Sequence, residues 1–270
     1  MVNLQARAIT SAIISIVSGF FAFSGIAQEP SVERSSFFTL NEGDRIEDSG
    51  IIAVESGRFA RSEAFEVVRH AEGGRTITSI ITGADGSYRV EGRWSYDATE
   101  HAISAEGKAS YNGVPASINI VATPPTAAIK VRAGAVERTI PAPCDPDCLI
   151  DMAPSALPMF TMTRRYDVSV SGEQTFRWIG QGLAADQVLL EGVAKIRLLD
   201  RQTVGDVDVS HFIFVETLTD AVTGNVTSFA FNLWVDADHR PLAFGMTSGT
   251  LGVRKGFEAV PAAMPAQFAE

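Results

Sequence analysis

An all-β, antiparallel architecture, a curved open barrel or a sandwich, is predicted by three observations. Segments of about four to ten residues rich in Val, Ile, Thr, Phe and Tyr recur along the chain, turn chemistry separates them, and no segment holds an apolar period of 3.6 residues for three clean turns. The composition agrees: 270 residues with 46% hydrophobic, 20% charged, 23 Gly and 12 Pro exclude collagen, coiled coil and a mostly disordered chain. With 32 acidic against 22 basic residues the net charge is -10, so unaided binding to nucleic acid is not expected.

The elements follow in order. Residues 8–27 carry no charge, Arg7 precedes them, Ile13, Ile14, Val17, Phe20 and Phe21 fill them, and the run ends on Gly25, Ile26 and Ala27. This reads as an export signal cleaved after Ala27, delivering the protein to the periplasm. Ser11, Ser15, Ser18, Gly19 and Ser24 dilute the run and argue against the alternative, a single transmembrane anchor. Residues 28–36 are polar and read as a loose leader. Residues 64–70 and 75–82 form a hairpin through Glu72, Gly73 and Gly74, and Asp85-Gly86 makes the next turn. Residues 87–97 alternate, with Tyr88, Val90, Gly92, Trp94 and Tyr96 on one face and Arg89, Glu91 and Arg93 on the other. Residues 101–111 and 116–122 are joined through Asn112-Gly113, and 127–140 supply one or two further strands.

Residues 141–158 hold five of the prolines and both cysteines, so they cannot be a central strand. They read as a connector, with room for a short helical turn, between an N-terminal β half (28–140) and a C-terminal β half (159–260). An exported chain sits where thiols oxidise, so Cys144 and Cys148 are expected to form a short-loop disulfide. A metal would need two further ligands, and no His is near in sequence. Residues 166–170, 174–179, 187–199, 206–217, 226–236, 240–247 and 250–259 read as strands, several long enough to curl around a barrel, and 261–270 as a frayed Ala/Pro tail. The halves echo each other: Trp94-Ser95-Tyr96-Asp97 precedes His101, and Trp234-Val235-Asp236 precedes His239, as a duplicated β unit would explain.

Motifs for chemistry are sparse. Gly180-Gln181-Gly182-Leu183-Ala184-Ala185 matches a dinucleotide fingerprint in letters, but a strand rather than a helix follows, so it reads as a glycine turn. No glycine-serine elbow is present. His211 heads an apolar run and reads as a buried, hydrogen-bonded histidine. Asp236-Ala237-Asp238-His239 is the one compact cluster of acid and imidazole, and reads first as a hairpin turn capped by Asp. No catalytic residue, metal ligand or cofactor is singled out. The larger signal is distributed: aromatic residues on many strands, with small residues such as Ala102, Ala105, Gly107 and Ala109 on a neighbouring one, either pack solid or line an apolar cavity.

The run Asn232-Leu233-Trp234-Val235-Asp236-Ala237-Asp238-His239-Arg240-Pro241-Leu242-Ala243-Phe244 resembles the strand-turn-strand unit of bacterial exported β-barrel proteins of the lipoprotein-carrier and glycolipid-binding kind. The resemblance implies an incomplete, strongly curved barrel whose concave face takes acyl chains or a glycolipid without a cofactor, with Trp234 and Leu242 as lining positions. The candidate ligand-binding residues are therefore Trp94, Tyr96, Phe212, Phe214, Phe231, Trp234 and Leu242. The expected function is a periplasmic, non-enzymatic binding or carrier protein for a lipid-like or other amphipathic small molecule held in an apolar β cavity. No cofactor and no nucleic acid are expected, and contact with membrane or envelope proteins would be peripheral. Two other readings stay open: a structural or interaction protein of the envelope with a packed core, and an envelope hydrolase using Asp236, Asp238 and His239.

Overall fold

The computed structural model describes residues 33–55, 60–86, 88–111, 114–153, 155–182, 190–220 and 223–268. The expected export segment, the Asn112-Gly113 turn and residues 183–185 of the glycine-rich motif lie outside the described residues, and residues 180–182 of that motif end a strand.

The architecture is all-β, as predicted: one large, curved and mainly antiparallel sheet that stays open. The first half comprises β1 (Arg45–Glu55), β2 (Arg61–Arg69), β3 (Arg75–Gly83), β4 (Tyr88–Tyr96), β5 (Ala102–Tyr111), β6 (Val114–Thr123), β7 (Thr126–Ala133) and β8 (Val136–Pro143). After β9 (Leu149–Ala153) and the helix α1 (Leu157–Arg165) come β10 (Glu173–Gly182), β11 (Leu190–Val204), β12 (Val207–Asp220), β13 (Val226–Val235), β14 (Pro241–Met246), β15 (Leu251–Arg254) and the short helix α2 (Ala259–Ala263). Each half is a meander of neighbouring strands, and the two join where β1 pairs antiparallel with β15, Ile52 opposite Arg254. The sheet therefore runs from β8 at one edge to β9 at the other, and β9 pairs parallel with β10, Trp178 opposite Leu149.

Period-2 alternation explains why the sheet curls. On β6 and β7 the residues Ala116, Ile118, Ile120, Ala127, Ile129 and Val131 are buried while their neighbours are exposed, so one face is apolar and must find cover. Strand β9 supplies part of it by lying against β5, far away in strand order. One continuous core joins the inner faces of both halves, from Ile52 and Phe65 to Trp178, Phe214 and Phe244. Into it inserts α1, whose residues Leu157 to Thr163 are all buried. A second, smaller core forms on the outer side of β12–β14, where Trp234, Leu242 and Val209 meet Val260 and Met264.

Several expectations are corrected. Residues 166–170 are not a strand: Tyr166 ends α1, and Asp167 caps a turn by accepting the Ser169 amide at 2.8 Å. Helix α1 itself escapes a search for amphipathic period because it has no polar face over its first seven residues. Pro141 to Pro143 complete the edge strand β8, where a missing N–H is tolerated, so the proline-rich stretch contributes to the sheet. Residues 33–36 are held: the Ser36 amide and hydroxyl both donate to Glu91, and Arg34 pairs with Glu66 at 3.0 Å. Residues 261–268 are not frayed, since the Trp234 indole N–H donates to the Met264 carbonyl at 3.0 Å and Asn232 bonds both ways with Gln267.

Candidate functional site

The curved sheet brings five of the seven sequence-predicted residues into one core. Trp94 and Tyr96 project from β4, Phe212 and Phe214 from β12, and Phe231 from β13, all buried in the main core beside α1. Phe214 lies 5.6 Å from both the Trp178 and the Phe231 ring, and Tyr166 meets Phe212 edge-on at 5.4 Å. Trp234 and Leu242 are elsewhere, in the outer core under α2.

The separation of Trp94 from Trp234 follows from register. Asp97 and Asp236 open the same turn: each backbone N–H donates to the carbonyl four residues on, each carboxylate accepts amides ahead of it, and Glu100 and His239 take the left-handed position with φ of 65° and 60°. Aligned on that turn, Trp94 corresponds to Leu233, both inward, whereas Trp234 is one residue later and points outward.

Glycines make room for the rings. Gly92 sits beneath the Trp94 ring and Gly180 beneath the Trp178 indole nitrogen, where an added Cβ would come within 2.6 Å and 3.1 Å.

Three carboxyl groups reach this apolar interior, Glu63 and Glu216 buried and Asp151 partly so, and the sequence singles out none of them. Glu63 comes from β2, Asp151 from β9 and Glu216 from β12. Glu63 is sealed and accepts the Ser155 hydroxyl and the Ala156 amide just ahead of α1. Burial pushes the Asp151 carboxyl up to about 7, helped by the charge of Glu63, and the Glu216 carboxyl up to about 8, helped by Asp151. The Glu63 carboxyl is raised by burial against the pull of its hydrogen bonds. Near neutral pH Glu216 is therefore mostly a neutral acid, able to donate a hydrogen bond, and Asp151 is poised between forms. Asp151 Oδ1 and the Trp94 indole nitrogen are buried without a hydrogen-bond partner. Glu216 was legible in principle, as the acid in an inward series with Phe212, Phe214 and Leu218.

The other sequence motifs resolve as structure. Cys144 and Cys148 are bonded to each other and buried. His211 is buried, stacked on Trp234 at 4.7 Å and hydrogen-bonded through Nε2 to Asn232 at 2.6 Å. Among the described residues no group of three or more His, Cys, Asp or Glu is arranged to hold a metal ion.

A small cavity of about 20 Å³ lies between α1 and strands β2 and β3. Val67, Ile77, Leu157 and Phe160 form its apolar side, and Arg75, Arg164, His239 and Asp48 its polar side.

No family model matches this chain, and no curated protein matches it. Among solved structures, the crystal structure of a DUF1089 family protein from Pseudomonas aeruginosa is similar with a TM-score of 0.42 and 16% identity, over 67% of this chain and 87% of that one.

Proposed function

We propose that the protein is a non-enzymatic binding or carrier protein of the cell envelope that takes an amphipathic, lipid-like molecule against the inner face of its sheet. One observation carries the reading: an aromatic wall of Trp94, Trp178, Phe214 and Phe231 contains polar atoms with unused hydrogen-bonding capacity, Asp151 Oδ1 and the Trp94 indole N–H. A buried polar group without a partner costs about 1–3 kcal/mol, and a few such groups converging on an apolar wall are the ordinary makeup of a ligand site.

The chemistry divides accordingly. An aliphatic chain gains about 0.8 kcal/mol for each methylene it buries against the rings. Hydroxyl or amide groups of the ligand meet the Trp94 N–H and the acids, with Glu216 donating and Asp151 donating or accepting. The incompletely packed contact between α1 and β2–β3 is where a chain enters, exchanging its contacts for those of Leu157 and Phe160. The disulfide accords with an oxidising compartment.

Native mass spectrometry of the protein purified from its own envelope, with lipid analysis of what co-purifies, tests the proposal. An acyl-chain species at one per chain is expected. A mass equal to the bare polypeptide that stays unchanged when lipids are offered would overturn it and leave a packed-core envelope protein.

A further inference from the structure

The polar side of the small cavity is built unlike the rest of the interior. Arg75 is 2% exposed, its terminal nitrogen is paired with Glu100, its guanidinium stands 5.5 Å from the Tyr96 ring, and its Nε has no hydrogen-bond partner. Arg164, at the end of α1, reaches the same cavity and pairs with Glu47 at 3.2 Å. His239 completes the rim from its left-handed turn position, its Nδ1 3.1 Å from the Thr163 hydroxyl. That hydroxyl already donates to the Phe160 carbonyl at 2.8 Å, so it accepts from Nδ1. Asp48, the one acid on the rim, is engaged by Arg254 at 2.7 Å.

We infer that Arg75 and Arg164 form a binding site for the carboxylate of an organic acid, whose carbon chain lies on Val67, Ile77, Leu157 and Phe160. Charge, geometry and size select that group. Arg75 and Arg164 are each already met by a glutamate, Glu100 and Glu47, so the attraction rests on the Arg75 Nε–H, which is left without a partner and can donate to a carboxylate oxygen. The cationic surroundings are felt by their neighbours: burial and then Arg164 lower the Arg75 guanidinium to about 10, and burial and then Arg164 hold His239 below its usual range. A volume of about 20 Å³, where a water needs roughly 10–15 Å³, seats one or two oxygens of the head group alone, so the carbon chain is taken in only as Leu157 and Phe160 give way. The same groups would take a short free acid or the head of a fatty acid. The inference deepens the amphiphile proposal and rests on it for the chain, which passes the same residues Leu157 and Phe160.

The test follows the arginine Nε–H resonances of the full chain by NMR while sodium acetate and, separately, sodium decanoate are titrated at pH 7. Both are expected to shift the Arg75 resonance, decanoate at lower concentration. Arg164→Gln should weaken decanoate binding about tenfold, the loss of one charge-assisted hydrogen bond, Arg164→Lys should weaken it less, and Arg132→Gln, on a remote surface, should leave it unchanged. Shifts from acetate with no added affinity for decanoate would keep the carboxylate site and remove its apolar extension. Decanoate that moves the Trp94 indole but not Arg75 Nε would overturn this site while leaving the carrier proposal standing. No shift from either acid at saturating concentration would overturn it outright.

Discussion

Glu63 on β2 holds the start of α1 through Ser155, 92 positions further along the chain. The pair does the work of a helix cap. Ala156 has no side chain to cap with, so Glu63 accepts the Ala156 amide at 3.3 Å and Ser155 Oγ accepts the Leu157 amide at 3.1 Å. Removing the carboxyl orphans two donors in a sealed environment. Glu63→Ala should therefore lower unfolding free energy by about 1–3 kcal/mol, and Glu63→Gln, which keeps an acceptor, by less. Urea unfolding of the two variants checks this, and equal losses would show that volume, not hydrogen bonding, matters at this position.

The raised carboxyls make stability depend on pH in a definite direction. The folded Asp151 and Glu216 carboxyls lie at about 7 and about 8, against ordinary values of 3.8 and 4.5. The folded state therefore binds more protons than the unfolded state between those limits, and the stabilisation, fully present below the ordinary values, is lost as pH rises through the folded ones. His211 and His239, both lowered by burial, act in the opposite sense but only below about pH 6.5. Between pH 7 and 9 the acids dominate, and unfolding free energy should fall. In Glu216→Gln the fall should shrink, leaving that variant more stable than the parent at pH 9 by on the order of 2 kcal/mol. Denaturant midpoints measured at pH 7, 8 and 9 decide it.

How much of this could be read from the sequence depends on whether the signal was local. The alternation at Val90, Gly92, Trp94 and Tyr96 placed that inner face correctly, and the short cysteine loop declared its disulfide. The likeness between Trp94 and Trp234 misled by one residue, because side chains alternate faces and a shift of one reverses every direction. Helix α1 was hidden by being buried on all sides, and the tail by being held through Val260, Met264 and backbone bonds at Met264 and Gln267 that no side-chain pattern announces. Glu63, Asp151 and Glu216 meet only because β9, at the end of the sheet, curls against the first half, a relation no spacing in the chain encodes.

The disulfide closes the turn between the two edge strands of the sheet, β8 and β9. Its loop is short, so the chain-entropy argument assigns it only about 2 kcal/mol, less than a long-range bridge would supply. Its position matters more than its size, because β9 carries Asp151 and has a single sheet neighbour, β10. In the Cys144→Ala, Cys148→Ala double variant, amide exchange should speed up at Ile150 and Met152 well before it does in β12 or β13. Uniform acceleration across the sheet would instead mean that the bridge acts only on global stability.

Glycines in this sheet differ sharply in what a methyl group would meet, and the difference predicts a ranking. At Gly192, on β11, an added Cβ would lie 1.9 Å from the Thr217 carbonyl oxygen, a backbone atom of the paired strand that cannot turn aside. At Gly245, on β14, it would lie 3.5 Å from the Trp234 ring, an ordinary contact. Gly192→Ala must therefore push β11 from β12, breaking ladder hydrogen bonds in the strand that carries Glu216, and should cost about 2–4 kcal/mol. Gly245→Ala meets no such obstacle and should fall within about 0.5 kcal/mol of the parent, since loss of glycine's freedom in the unfolded chain offsets small adjustments. Gly92→Ala belongs between them, because the atom it meets at 2.6 Å is the Trp94 ring, a side chain that can tilt where a backbone carbonyl cannot. Thermal unfolding of the three variants checks the order, and a Gly192→Ala protein as stable as Gly245→Ala would contradict the pairing of Gly192 on β11 with Leu218 on β12.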